Sequence, residues 1–469
     1  MNAAGPMLPG PLFFFLAAAL TAVACYVVQR WTALAGLVAA VSCLLLGWLS
    51  LRLTGRESLS LFGRVWVYNG PFLLLGREWA FTASNAAVLS FMLFACGISF
   101  LAALPASQGP AYYPFGMGVI ATLVLSATAE QYTLSILFLW LAVILAVFIL
   151  AGGRPRATTG AVRFLALASV GIMLLLTVAG YLPGTQPGAL QTARILTVLG
   201  FGLLLMLAPF HGQLVGIAAH TAPMVPAFML STFPPVVFHI LLTLGRASPA
   251  LFEDQLLFSV YRLLGTATVA IGGIAAAGQR RWGYLVGYAA LVDWGAGMIA
   301  LGQGTAQGMA WATQMLVWRA FSLLLAGTGL TILMRATKDD NLRACSGLLL
   351  RRLPGMLALT GGLLSLAGFP LTPGFVGRWP LINGLLRGQP VTAWVVILSG
   401  VSVTLGTLVG LKSCLGPAPK QVRGDRFAAL VGMVAGALAL WLVGAFVLHP
   451  MPWIEMAERM LGTLSFLPM

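Results

Sequence analysis

The chain has 469 residues, of which 59% are hydrophobic and only 8% charged. That balance excludes a soluble globular protein and implies an all-α polytopic membrane protein. A formal net charge of +15 does not mark a nucleic-acid binder, because the cations are spread over short loops rather than gathered on a face or tail.

A helix crossing the hydrocarbon needs about 20 apolar residues. Fourteen candidates follow in chain order: 11–29, 31–51, 85–104, 113–130, 132–151, 161–182, 192–212, 223–245, 255–277, 281–302, 309–334, 353–385 (broken), 391–413 and 427–448. The first run, Leu12 to Val28, lacks a basic leader and a clear cleavage site, so it reads as a retained helix. The stretch 52–84 is too charged to span, and Arg64-Val-Trp-Val-Tyr68 alternates like a short hairpin strand. A terminal amphipathic piece near 451–464 carries Glu455, Glu458 and Arg459 and reads as interfacial.

Loop charge sets orientation. Connections after odd-numbered spans hold Arg30, then Arg154, Arg156 and Arg163, then Arg280 and Arg281. Further along they hold Arg335, Lys338, Arg343, Arg351 and Arg352, then Lys420, Arg423 and Arg426. Even-numbered connections hold fewer cations, which predicts cytoplasmic odd loops and both termini periplasmic in a cell inner membrane. Cys25, Cys43, Cys96, Cys345 and Cys414 are scattered and form no disulfide framework or metal motif. No redox cofactor ligands, nucleotide motif or catalytic triad is present in the pattern, so no cofactor is expected.

Two apolar spans are interrupted. The seventh contains Leu207-Ala-Pro-Phe-His-Gly212, and the twelfth contains Leu366-Ala-Gly-Phe-Pro-Leu-Thr-Pro-Gly-Phe-Val-Gly-Arg378. Pro370 and Pro373 lack backbone donors, and the helix is expected to resume near Phe375 with Arg378 in its first turn. A helix broken at membrane depth must lie within protein or line a wet cavity. The breaks lie five spans apart, an odd number, which predicts two five-helix units of opposite topology. The expected organisation is residues 1–112 as N-terminal helices, 113–245 and 255–413 as the two repeats, and 427–469 as a terminal helix and tail.

These residues resemble the antiporter-like subunits of complex I and their relatives in membrane-bound hydrogenases and multi-subunit sodium/proton antiporters. Pro209-Phe210-His211-Gly212 with Ala222-Pro223 resembles the family stretch P-[FL]-H-x-W-x-P-D … A-P. Gln279 and Leu285-Val-Gly-Tyr-Ala-Ala290 with Gly295 resemble K-R-L-x-A-Y-S-S, and Leu366 to Arg378 resembles L-x-G-[IL]-P-P-x-x-G-F-x-G-K. The resemblance implies a proton route through a glutamate on the fifth helix and lysines on the seventh, eighth and twelfth. Here Ala142 stands at the glutamate position, Leu204 near the first lysine, and Pro234-Pro235-Val236 at the second. Only Arg378 keeps a charge.

An arginine does not release its proton as a buried lysine can. Arg378 is therefore read as an electrostatic barrier, a partner for an acid, or an anchor for loop carbonyls. His239 can titrate near neutrality, but a lone histidine on an apolar helix is more often a hydrogen-bonded packing residue. His211 and His220 flank the first break and are candidates to bond its freed carbonyls or line a wet cavity. Asp293 and Arg319 lie deep in adjacent spans, and a bridge between them is the simplest way to bury both. Lys412 ends the thirteenth span, where it is expected to snorkel. Glu130 falls at a junction and reads as interfacial.

The resemblance implies a membrane-arm subunit of a complex I-related proton-translocating assembly, with other membrane subunits and the lipid bilayer as partners. Loss of the lysines implies a degenerate channel and a structural or coupling role. An active path through His239, Asp293 and Arg378, and an independent secondary transporter with Arg378 as its binding cation, are the alternatives.

Overall fold

The computed structural model describes residues 9–53, 58–61, 64–67, 72–74, 76–152, 157–182, 187–253 and 255–415. The expected span 427–448, the piece near 451–464, and Lys420, Arg423 and Arg426 lie outside the described residues.

Apolar sequence becomes helix here because lipid offers backbone groups no partner. The chain opens with α1 (Gly10–Val27), α2 (Thr32–Leu53) and, after two hairpins, α3 (Ala83–Ala103). Next come α4 (Tyr112–Thr128), α5 (Tyr132–Ala151), α6 (Ala157–Tyr181), α7 (Pro187–Leu204), α8 (Gly212–His220) and α9 (Val225–Ala247). The second half holds α10 (Gln255–Ala276), α11 (Trp282–Leu301), α12 (Ala306–Thr337), α13 (Leu348–Arg351), α14 (Leu353–Ala367), α15 (Pro373–Gly388) and α16 (Pro390–Ser413). Ten of these are long and apolar enough to cross a membrane. Helices α9, α11 and α12 are largely enclosed by the others, whereas α1 and α16 turn apolar side chains such as Leu20, Val27, Val391 and Leu398 outward.

The alternating segment of 52–84 does form a strand: β1 (Ser58–Leu61) pairs antiparallel with β2 (Arg64–Val67), placing Leu59 opposite Trp66. A second hairpin, β3 (Phe72–Leu74) with β4 (Arg77–Trp79), was not legible in the sequence because each strand is only three residues long. Ala80 N–H donates to Thr128 O at 3.3 Å, which ties this segment to the end of α4. Glu130 is exposed at the α4–α5 junction. All five cysteines are buried and unpaired by disulfides.

Two breaks divide otherwise continuous spans. The first separates α7 from α8 and the second separates α14 from α15. The second is shorter than the sequence suggested. Proline at the first helical position needs no donor, so α15 starts at Pro373 and Arg378 falls in its second turn.

One end of the bundle is held by polar loop contacts. Arg281 pairs with Asp340 at 2.7 Å, while Trp282 N–H donates to Asp340 O at 2.9 Å and Leu342 N–H to Arg280 O at 3.0 Å. Partial burial of Arg281 weakens its charged state, but the hydrogen bond and charge of Asp340 outweigh this and raise its pKa. It therefore stays cationic at any working pH. Its side chain is 40% exposed, but that of Asp340 is only 1% exposed, so the carboxylate end of the pair is shielded from solvent. Arg281→Ala should cost about 1–3 kcal/mol, because it takes the cation from a buried carboxylate, and the loss should change little with salt. Thermal unfolding in low and high sodium chloride measures it.

Candidate functional site

The second break is built around Arg378. Helix α14 ends in a left-handed Gly368 (φ 70°), leaving the last carbonyls without helical partners. Arg378 reaches back to them. Its Nη2 donates to Leu366 O at 2.7 Å and its Nη1 donates to Ala367 O. A Cβ on Gly368 would lie 2.6 Å from Arg378 Cδ, so this position needs glycine for space as well as for its φ. Opposite, Ser365 Oγ accepts from Gly374 N–H at 3.0 Å and from Ser322 Oγ at 2.7 Å, closing the start of α15.

Arg378 Nη2 also donates to Asp293 Oδ1 at 2.9 Å, and both side chains are almost fully buried, 2% and 4% exposed. This corrects the expected Asp293–Arg319 bridge. Arg378 is already fixed by two carbonyls, and its planar fork has a donor left for the carboxylate. Arg319 is equally buried, but its guanidinium carbon lies 3.8 Å from the centre of the Trp294 ring. It remains within electrostatic reach of Asp293. None of its three nitrogens donates to a protein group, and Asp293 Oδ2 accepts from none.

The first break is built differently. After α7 ends at Leu204, Met206 takes a left-handed φ of 54° and Leu207 N–H returns to Gly202 O at 3.0 Å. Ala208 N–H is taken by Thr268 Oγ1 at 2.9 Å. The freed Leu205 carbonyl accepts the indole N–H of Trp294. Neither expected histidine performs that task. His211 Nδ1 is buried without a partner, whereas His220 bonds Gly216 O at 3.1 Å and the Tyr284 hydroxyl at 3.2 Å. Gln213, where the family motif has tryptophan, keeps both amide atoms buried without partners.

Two consecutive residues of α11 thus contact both breaks. Asp293 holds the cation that caps the second, and Trp294 caps the first while stacking under Arg319. The structure brings together Arg378, Asp293 and Arg319 from the expected set. It does not bring in His239, whose ring bonds the Ala127 backbone and feels the charge of Arg246. Lys412 is exposed in the last turn of α16. Trp294, Ser322 and Ser365 were missed, since isolated tryptophans and serines in apolar helices carry no spacing signal.

The positions where the family charges would lie are apolar. Ala142, Leu204 and Val236 are all buried members of one continuous hydrophobic core.

The chain is similar to known proteins across much of its length. A family profile described as "NADH:quinone oxidoreductase/Mrp antiporter, TM" matches residues 184–406. NADH-quinone oxidoreductase subunit N of Chromohalobacter salexigens is 25% identical over 295 residues, 59% of each chain. The subunit N of Geotalea uraniireducens is 26% identical over 376 residues, 74% of this chain and 76% of that one. The match spans less than two thirds of several such curated relatives. Among solved structures, a chain of the Mrp complex from Dietzia sp. DQ12-45-1b superposes with a TM-score of 0.79 at 13% identity, covering 97% of this chain and 98% of that one. A chain of respiratory complex I from Thermus thermophilus gives 0.73 at 18% identity, covering 95% and 100%. These superpositions establish a shared fold.

Proposed function

We propose, since the chain belongs to the family of antiporter-like membrane subunits found in complex I and Mrp-type assemblies, that it is a membrane-arm subunit of a complex I-related proton-translocating assembly whose own proton channel is degenerate. Its role is to pack against neighbouring membrane subunits and to couple its two helix breaks. Two five-helix units of opposite topology, α4–α9 and α10–α16, each carrying its broken helix in fourth place, fit this reading. Both termini would lie on the periplasmic side of the inner membrane.

The observation that carries the proposal is the exchange of a titratable interior for a fixed one. Proton relay needs groups whose protonation can change at working pH. Ala142, Leu204 and Val236 offer none, and Arg378 is an arginine locked onto Asp293 and two carbonyls. An arginine in that setting holds charge without passing protons. Electron transfer would fall to other subunits.

The test is the number of protons pumped per electron by the purified assembly in sealed vesicles. Substituting His239→Phe together with His211→Gln removes titratable rings from the two helical segments and should leave that ratio unchanged. A fall in the ratio with the assembly intact would establish an active path through this chain and defeat the proposal.

A further inference from the structure

The buried cluster at α11, α12 and α15 is unbalanced in both charge and hydrogen bonding. Arg319 and Arg378 each carry a permanent positive charge. Asp293 is the sole carboxylate in the sequences of α10, α11, α12, α14, α15 and α16. One unit of positive charge is therefore left over among side chains at most 4% exposed. Leaving a buried ion uncompensated is strongly unfavourable. Donors are in surplus too. Arg319 Nε, Nη1 and Nη2, Arg378 Nε and Gln314 Nε2 are buried and bonded to no protein acceptor.

We propose that the edge of the Arg319 guanidinium binds a small inorganic anion of the halide class. Trp294 covers one face of the guanidinium, so acceptors must approach in its plane, where all its N–H groups point. A water molecule would satisfy donors but leave the extra charge; a monovalent anion satisfies both. The packing of α11 on α12 is loose one helical turn away. Gly297 lies four residues after Asp293, and a Cβ built on it would meet only Met315 Cβ, at 4.0 Å. Met315 in turn precedes Arg319 by four residues on α12. This loose contact lies between the two helices that carry the carboxylate and the free guanidinium. Asp293 keeps the anion from the Arg378 side, where its Oδ1 already occupies the donor. The anion would complete the same bridge that the coupling role uses, but its occupancy is read without proton pumping, so either reading can fail alone.

The experiment uses the intact purified assembly in sodium chloride, sodium bromide or sodium gluconate at equal ionic strength. The thermal midpoint of this subunit should be several degrees higher in either halide than in gluconate. Arg319→Gln should lose that increment. Should Arg319→Gln fail to assemble, anomalous scattering from bromide-soaked wild-type crystals decides, with a peak expected at the Arg319 edge. No halide increment in the wild type, an increment that persists in Arg319→Gln, or the absence of a bromide peak at Arg319 would overturn the proposal.

Discussion

Arg378→Ala should prevent stable incorporation of this chain into its assembly. The substitution strands Asp293 as a buried carboxylate and strips the caps from Leu366 and Ala367 at the end of α14. Removing one partner of a buried ion pair costs about 3–5 kcal/mol, against a total stability of about 5–15 kcal/mol for a typical domain. Uncapped carbonyls at membrane depth add to the loss. Arg378→Lys should recover only part of it, because one ammonium lacks the planar fork that reaches two carbonyls and a carboxylate together. The companion variant removes the charges as a set. Asp293→Leu with Arg319→Met and Arg378→Met leaves no buried ion unpaired, and such replacements are often neutral or stabilising. It should recover the ion-pair part of the loss and incorporate better than Arg378→Ala, while leaving the Leu366 and Ala367 carbonyls uncapped and breaking the tie between the two helix breaks. Subunit content of purified membranes and thermal midpoints measure the first effect, and protons pumped per electron measure the second. Normal incorporation of Arg378→Ala would show that the pair does not hold the fold.

Gly374→Ala should be nearly as damaging, for a steric reason. The added methyl would fall inside the contact distance of the Ser365 carbonyl oxygen, which is backbone and cannot rotate away. Relief requires α15 to move off α14, which pulls Gly374 N–H from Ser365 Oγ and draws Arg378 away from its carbonyls. Forced overpacking typically costs about 1–3 kcal/mol, and more where backbone must shift. Gly388→Ala is the control, because its Cβ would meet nothing within 4 Å. Unfolding midpoints should separate the two variants by several degrees, with Gly388→Ala matching the wild type.

The helical layout was legible because each span announces itself through long apolar runs, and both breaks were legible through Pro209, Pro370 and Pro373. What the sequence obscured was partnership. Asp293 and Arg319 sit on neighbouring helices, and proximity along the chain suggested a pair. Pairing was decided instead by the second break, which fixes Arg378 by two carbonyls and turns its remaining donor toward α11. Chain order holds no information about that orientation. The same limit hid Trp294. Its indole is one of thirteen in the chain, and nothing in its local sequence says that its N–H ends on Leu205 O. The histidines illustrate the opposite error. His211 and His220 stand beside the first break in the chain, yet its freed carbonyl is capped from α11, by a residue 89 positions further along the sequence.

Asp293 and Trp294 are successive rungs on one stiff rod. A rise of only about 1.5 Å separates such rungs along the axis. The rod therefore holds two fractures at a fixed distance, with almost no slack between the grips. Any rotation of α11 about its long axis moves both grips together, so neither fracture can shift without the rod carrying the movement to the other.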